Sequence, residues 1–263
     1  MVLVAVVWFG AGHALLARVD RTLFDAGLAL WRRPPPPELV IVAIDEDSLA
    51  GVGRWPWSRA VHATLVERVA AAKPRAIVLD VIVAEPDPQH PDGDLALARA
   101  IASAGNVVVA SPVIAGPDGR LADLAPIAPV AAAAAALAHP GVDGDEDGVV
   151  RRLPVVTRVG TRLYPGLSFT PLLGEDRIVG TRRTWRGPIL TIGSHAIPVD
   201  EDGQVELHFP RRLPSLPTLP FADLVRAAVA PQAGGGLAGT VHGTLGGRLG
   251  YGLLDIDLDR ADA

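Results

Sequence analysis

The sequence predicts an α/β fold: a mixed, largely parallel sheet flanked by helices, with a long N-terminal membrane helix and an irregular strand-rich second half. Residues 1–17 contain no Asp, Glu, Lys or Arg. Residues 38–113 alternate short apolar, β-branched runs with helical patterns, and residues beyond 149 hold short strand-like runs separated by turns. The alternation in the first half predicts strands that pair in parallel, with helices as connections.

The N-terminal segment, MVLVAVVWFGAGHALLA, has the minimum length for crossing a bilayer as a helix. Apolar residues continue at helical spacing as far as Trp31, so the predicted membrane-anchor helix covers residues 1–31. A cleaved signal peptide and a buried helix of a soluble protein are the alternatives. The basic residues follow the apolar run, and the positive-inside rule alone would place the next domain in the cytoplasm.

Residues 38–45, ELVIVAID, form an apolar run that predicts a strand buried on both faces. A helix is predicted from the N-cap Ser58 to Ala72, before Lys73 and Pro74 end it. The remaining predicted elements of this half are a strand at 75–83, a helix at 94–104 closed by Gly105, and a strand at 106–113.

The second half is predicted to be less regular. The alanine-rich tract at 126–139 favours a short helix or a covering loop. The other predictions are a strand at 149–159, a short helix at 164–173, short strands between 188 and 210 with turns at 193–194 and 202–203, and a short helix at 221–229. Residues 234–263 are glycine-rich and are predicted to be a poorly ordered tail.

Composition excludes several classes of function. The chain has no cysteine, which excludes disulfides, thiolate metal sites and cysteine nucleophiles. The net charge of -5 argues against a nucleic-acid partner, because such proteins concentrate positive charge. The scattered histidines lack zinc-ligand spacing, and we expect no bound metal or cofactor.

Carboxylates follow two of the predicted strands. Asp45 ends the first strand and Asp80 follows the apolar core of the second, and the carboxyl ends of parallel strands face the ligand crevice of an open α/β sheet. Glu46 and Glu85 add acidic groups nearby. These residues are candidate ligand contacts. The alternatives are a metal-dependent phosphohydrolase that uses the strand-end carboxylates, and acids that only cap helices and pair with arginine.

The stretch GRWPWSR, residues 53–59, places two tryptophans in one short connection. Trp55 and Trp57 suit three roles: core anchors, an aromatic surface for a ligand, or a contact with the membrane interface. We expect them chiefly to pack this loop against the carboxyl edge of the sheet. Arg59 is expected to pair with an acid such as Asp45, and all three residues are candidate ligand contacts.

A second acidic stretch, DGDEDG at 143–148, matches the opening of an oxygen-ligand calcium loop. The twelfth position of such a loop is a bidentate Glu, and here it is Pro154. A tight turn that enters a strand is therefore the favoured prediction.

Two long stretches together resemble the CHASE type 2 family of sensor domains. The first runs from VDRTLFDAGLALWRR through AIDEDSLAGVGRWPWSR to VLDVIVAEPD, and the second is DGDEDGVVRRLPVV. The resemblance covers about residues 15–230. The matching positions are Asp20, Phe24, Asp25, Asp45, Glu46, Ser48, Leu49, Gly53, Trp55, Pro56, Trp57, Arg59, Asp80, Glu85 and Asp94, then Asp145, Asp147, Gly148, Val149, Val150, Arg151 and Pro154.

This resemblance implies an extracytoplasmic sensory module of a bacterial transmembrane receptor, with no catalytic residues of its own. The implied organisation is a membrane anchor at 1–31, a sensor domain at 32–233 and the tail at 234–263, with residues 32–263 on the extracytoplasmic side of the cell membrane. The family's output is a histidine kinase of a two-component system, an adenylate cyclase or another kinase. We expect the chain to be truncated before the later membrane helices and output domain. The expected partners are the membrane, an unidentified extracellular ligand, and a homodimer or a partner transmitter protein.

Overall fold

The computed structural model describes residues 19, 22–24, 26–27, 39–116, 120–142, 144–145, 147–170, 178–184, 187–192, 195–207 and 216–226. The elements of the first half are strand β1 (Ile41–Ala43), helices α1 (Glu46–Val52) and α2 (Arg59–Ala71), strand β2 (Ile77–Leu79), helix α3 (Pro91–Ala104), strands β3 (Val107–Ala110), β4 (Val113–Ala115) and β5 (Leu121–Asp123), helix α4 (Ala128–Ala133) and strand β6 (Ala136–Ala138). The second half contributes β7 (Arg152–Pro154), β8 (Val156–Val159), β9 (Arg162–Pro165), β10 (Ile178–Thr184), β11 (Gly187–Ile192), β12 (His195–Pro198), β13 (Gln204–Glu206), β14 (Thr218–Pro220) and helix α5 (Phe221–Arg226).

Parallel pairing is confirmed for the second and third predicted strands. Strand β2 pairs with β3, with Ile77 opposite Val107, and β3 pairs with β6 on its other side, with Val108 opposite Ala136. Helix α3 connects β2 to β3. The predicted first strand, in contrast, pairs in parallel with β14 near the end of the described chain, with Ile41 opposite Thr218.

The prediction of one largely parallel sheet is wrong. The described strands form six small sheets, and four of these are antiparallel. The antiparallel sheets are the hairpins β4–β5 and β8–β9, the pair β7–β13, and the meander β10–β11–β12. The two-residue connections of the second half favour hairpins, because a parallel crossover requires a dozen or more residues.

Local signals placed α2 and the end of α3 well, whereas helix α1 was not predicted and α3 begins at Pro91, before the predicted start at residue 94. The Ser58 hydroxyl caps α2, as predicted, and α3 ends at Gly105, whose left-handed φ of +71° suits glycine. The alanine-rich tract at 126–139 contains the short helix α4, one of the two predicted alternatives. It also contains strand β6, which was not predicted. The turn at 202–203 is present, with Gly203 at a φ of +76°, whereas the turn at 193–194 lies outside the described residues.

Two hydrophobic clusters organise the described residues. The larger lies between α2, α3 and the β2–β3–β6 sheet, and it includes the fully buried Leu97, Ile101 and Val107. The smaller gathers Phe169 and Ile197 with neighbouring strands of the second half. The predicted candidate residues all belong to the part of the chain that forms the larger cluster.

Most of the predicted membrane anchor at 1–31 lies outside the described residues, as does the predicted tail at 234–263. The described residues 19, 22–24 and 26–27 are helical. Among the residues that the structure describes, no helix combines the length and the apolar character needed to cross a membrane.

Candidate functional site: the Trp loop and its surroundings

The Trp loop, defined here as residues 53–58, connects α1 to α2. It begins at Gly53, whose φ of +117° lies in a region that favours glycine. It ends at Ser58, whose hydroxyl accepts a hydrogen bond from the backbone N–H of Ala60 at 3.4 Å. The Trp55–Pro56 peptide bond within the loop is cis. The loop is therefore fixed at both ends by local backbone features.

Trp57 anchors the loop in the larger core. Its side chain is 5% exposed, and its indole Nε1 donates a hydrogen bond of 2.7 Å to the carbonyl oxygen of Gly53. Its ring centroid lies 4.7 Å from that of Phe221, the residue that follows β14. The expected packing against a carboxyl sheet edge is thus confirmed for Trp57, at the β1–β14 pair. A buried indole with a satisfied N–H makes a stable anchor.

Trp55 has a different environment. It is 41% exposed, and its ring meets those of Trp57 and His62 edge to face, at centroid distances of 5.3 Å and 5.7 Å. Trp55 therefore covers the buried rings of Trp57 and His62, while part of its own ring stays in solvent. Of the two tryptophans, it is the one with a surface available to a ligand or another molecule.

His62 lies at the centre of this aromatic cluster, which consists of Trp55, Trp57, His62 and Phe221. It is 2% exposed and its Nδ1 has no hydrogen-bond partner among the described residues. Burial and the positive charge of Arg59 lower the pKa of His62 to about 4. The imidazole is consequently neutral near pH 7 and packs as an aromatic ring.

Asp45 serves as the N-cap of helix α1. Its Oδ1 accepts a hydrogen bond from the backbone N–H of Ser48 at 2.9 Å, and hydrogen bonds with Ser48 lower the pKa of the Asp45 carboxyl. The Ser48 hydroxyl is fully buried, and it accepts a hydrogen bond from Ala222 N–H at 3.1 Å. Asp45 and Ser48, three residues apart, thus connect the segment after β1 to the start of α5 through these hydrogen bonds.

Arg59 pairs with an acid, as predicted, but this acid is Asp94 rather than Asp45. The Nε of Arg59 lies 3.8 Å from the Oδ1 of Asp94 on α3, and its Nη2 donates a hydrogen bond to the backbone carbonyl of Glu85 at 3.3 Å. The physical reason is that Asp45 is engaged with its own helix N-terminus, while α3 approaches the first turn of α2. The second oxygen of Asp94 accepts the N–H of Asp87 at 2.9 Å. Arg59 therefore joins the loop after β2 to the start of α3.

Asp80 directly follows β2 and is half-buried. Burial raises the pKa of its carboxyl to about 6, and no hydrogen bond or ion pair within the described part of the chain engages it. A desolvated carboxylate without a partner reduces stability, which is more typical of functional than of structural residues. Asp80 is the strongest of the acidic candidates for this reason.

The structure unites some of the predicted site residues and separates others. Trp55 and Trp57 touch each other, and Arg59 reaches Glu85 only through the backbone. The side chains of Glu46 and Glu85 are exposed. Strands β1 and β2, which precede Asp45 and Asp80, belong to different sheets. A single crevice lined by both strand-end aspartates is therefore not the arrangement that the sheet topology produces.

Sequence reasoning missed two members of the aromatic cluster. His62 is one of the scattered histidines that lack zinc-ligand spacing, and Phe221 lies at the far end of the described chain. No local signal could have placed Phe221 against Trp57.

No three His, Cys, Asp or Glu side chains form a group suited to a metal ion within the described ranges. In the DGDEDG stretch, Asp145 and Asp147 accept hydrogen bonds of 3.0 Å and 2.9 Å from Nη1 of the buried Arg151. Gly148 has a φ of +77°, and β7 follows at residue 152. The predicted tight turn into a strand is confirmed, although residues 143 and 146 lie outside the described residues.

In the comparison with protein families, a model described as the CHASE2 domain matches residues 1–241. The matched residues include the Trp loop, the aromatic cluster and the turn around Gly148. Neither the curated proteins nor the solved structures contain a match to this chain.

Proposed function

Because the chain belongs to the CHASE2 domain family, an extracytoplasmic sensory family that is not itself catalytic, we propose that it is the signal-input unit of a membrane-bound bacterial receptor. The match over residues 1–241 is the observation that carries this proposal. In this proposal, residues 1–31 form the membrane anchor and residues 32–233 form the sensor body outside the cytoplasm. In this proposal, the output of the receptor is a kinase or a cyclase.

The proposed ligand contacts are Asp80, whose carboxyl has no partner among the described residues, and the exposed ring of Trp55. The secondary candidates are Asp45, Glu46, Glu85, Trp57 and Arg59, whose described contacts are mainly structural. A ligand that binds one arrangement of these groups more tightly than another shifts the population between the two. The difference between the ligand's binding free energies for the two arrangements supplies all of the free energy for such a signal.

Chain connectivity supports a route for the signal toward the proposed anchor. Strand β1 is the first described strand, and the chain leaves its carboxyl end directly into Asp45, α1 and the Trp loop. A shift of the Trp loop would act on β1 through the Asp45–Ser48 cap and through the Ser48–Ala222 hydrogen bond. Displacement of β1 along its axis would then reach the residues that precede it.

A labelling experiment tests on which side of the membrane the proposed sensor body lies. The chain has no cysteine, so Asp202→Cys, at an exposed turn, would carry the only thiol. We expect a membrane-impermeant maleimide to label this variant in intact spheroplasts as fully as after lysis. Labelling that appears only after lysis would place the turn in the cytoplasm and overturn the proposal.

A matched control separates topology from local opening. Leu97→Cys places the thiol at a fully buried position of α3. This thiol should resist the reagent in spheroplasts and in lysate, and should react only in denaturant. The same reagent on a known cytoplasmic protein, carried in the same cells, reports whether the membrane stayed intact.

A further inference from the structure

The other three rings of the aromatic cluster are arranged around His62. Its ring centroid lies 5.7 Å from that of Trp55, 6.2 Å from that of Trp57 and 5.6 Å from that of Phe221. These neighbours come from the Trp loop and from α5, while His62 itself belongs to α2. His62 is thus the one ring through which α2 contacts both the loop and α5 in this cluster.

The surroundings of His62 suit a neutral imidazole and oppose a charged one. A protonated ring carries two N–H donors, and its Nδ1 is buried with no acceptor among the described residues. Indole and phenyl rings supply no strong acceptor for a new N–H in the ring plane. Protonation would therefore place an unsatisfied donor and a positive charge in the core.

The charged groups on the packed elements do not relieve this cost. Arg59, one turn earlier on α2, is the one charge that perturbs the pKa of His62, and it lowers it. Asp94 on α3 is engaged with Arg59 and with the N–H of Asp87. The other charged groups of the adjoining elements are Arg54 in the Trp loop, Glu46 and Asp47 on α1, Asp92 and Arg99 on α3, and Asp223 and Arg226 on α5, and none of them perturbs the pKa of His62.

The exposure of Trp55 indicates the direction in which the Trp loop can separate from His62. It is the exposed member of the cluster, and of its two ring contacts in this cluster one is with His62 itself. Trp57 is held by its own bond to Gly53, within the same loop. Residues 53–57 can thus move away from α2 together without breaking that bond, while Ser58 remains the cap of α2.

We propose that His62 is an acid-sensitive latch, in which a proton on its imidazole detaches the Trp loop from helix α2 and from Phe221. This inference rests on the proposed sensory function, since it makes acidity outside the cytoplasm the signal. The lowered pKa of His62, about 4, places the transition in distinctly acidic conditions.

Fluorine NMR of the full chain labelled with 5-fluorotryptophan tests the latch. The five tryptophans give separate resonances, which Trp→Phe substitutions assign. Between pH 7 and pH 3.5 we expect the Trp55 and Trp57 resonances to move with one shared midpoint, which lies between the pKa of the buried ring, about 4, and the ordinary histidine pKa of 6.5. Far-UV circular dichroism should stay unchanged over the same range.

Two variants identify the titrating group. His62→Phe keeps an aromatic ring but has no basic nitrogen, and we expect it to abolish the shared transition of Trp55 and Trp57. His90→Gln removes an exposed histidine beside Asp87 and should leave the transition in place. Arg59→Gln removes the neighbouring positive charge and should move the midpoint to higher pH.

Three outcomes would overturn the latch. The first is a chain whose Trp55 and Trp57 resonances do not move above pH 3.5. The second is movement of all tryptophan resonances together with loss of circular dichroism, which reports global acid unfolding. The third is a transition that persists in His62→Phe. The labelling of Asp202→Cys at neutral pH is independent of all three, so the sensory proposal and the latch can fail separately.

Discussion

The indole nitrogen of Trp57 donates a hydrogen bond to the carbonyl oxygen of Gly53, at 2.7 Å. The two residues stand near the two ends of the Trp loop, so this bond closes the loop on itself. The ring of Trp57 then packs on Phe221, which belongs to the last described helix. One side chain therefore both shapes the loop and attaches it to a distant part of the chain.

The two tryptophans should differ sharply in their contribution to stability. Trp57→Ala removes a buried ring and leaves a cavity, and we expect it to lower the free energy of unfolding by about 3 to 5 kcal/mol. Trp55→Ala, at the exposed position, should cost about 1 kcal/mol. Urea denaturation of the purified chain at pH 7 measures both. Equal losses for the two variants would contradict the assignment of Trp57 as the anchor.

The capping role of Asp45 is separable from any role in ligand binding. Asp45→Ala should reduce the free energy of unfolding by roughly 0.5 to 2 kcal/mol, because the Ser48 N–H loses its acceptor. Asp45→Asn retains a capping oxygen and should stay within a few tenths of the parent chain. Thermal unfolding of both variants, with Asp47→Ala as the control from the same first turn, checks this. A loss in Asp45→Asn as large as in Asp45→Ala would show that the charge matters beyond capping.

Ser48 should tolerate substitution less well than its small size suggests. Ser48→Ala leaves the buried Ala222 N–H without its acceptor and should cost about 1 to 3 kcal/mol. Thr64→Ala is the matched control, because the Thr64 hydroxyl donates to the carbonyl of Ala60 one turn earlier in its own helix, and it should cost less than about 0.5 kcal/mol. Hydrogen exchange at the Ala222 amide provides a direct readout. Unchanged protection of that amide in Ser48→Ala would argue against the contact.

Asp80 should make the chain less stable as the pH rises. The pKa of its carboxyl is raised by burial from 3.8 to about 6. Its favourable contribution is fully present below pH 3.8 and is lost as the pH rises through about 6. Asp80→Asn should therefore stabilise the chain by roughly 1 to 3 kcal/mol at pH 8 and by nearly nothing at pH 4. Denaturation curves at both pH values measure this, with the exposed Asp92→Asn as control.

The elements that the sequence predicted well are those specified by nearby residues. Ser58 caps α2 because its own hydroxyl reaches the N–H of Ala60, and Gly105 ends α3 because glycine adopts a left-handed conformation without strain. The turn around Gly148 follows from the same kind of local requirement. Each of these signals lies within four residues of the feature that it predicts.

The elements that the sequence missed depend on distant partners. Strand β6 consists of Ala136, Leu137 and Ala138, and alanine has a low preference for strands. It is a strand because β3 offers a free edge beside it. Strand β1 has the expected apolar sequence, but its partner β14 contains a proline and gives little strand signal. Sequence pattern alone cannot assign such partners.

The same limit applies to the partner of Arg59. A beta carbon on Gly93 would lie 3.0 Å from the Ser58 hydroxyl and 3.1 Å from the Ala60 nitrogen. The absence of a side chain at this position allows the start of α3 to approach the start of α2, and this brings Asp94 to Arg59. Charge alone would have suited Asp45 equally well. The choice between the two acids is set by the contact of two helices.

The pairing of β1 with β14 has a consequence for the order in which the chain folds. The hydrogen bond from Ala222 to Ser48 joins residues separated by 174 positions. Contacts of such sequence separation form slowly, because a long loop must close before they contribute. During synthesis, β1 emerges early and its partner emerges only after the whole central region has been made. The β2–β3–β6 unit can form first, so that β1 and the Trp loop join the structure in a late step.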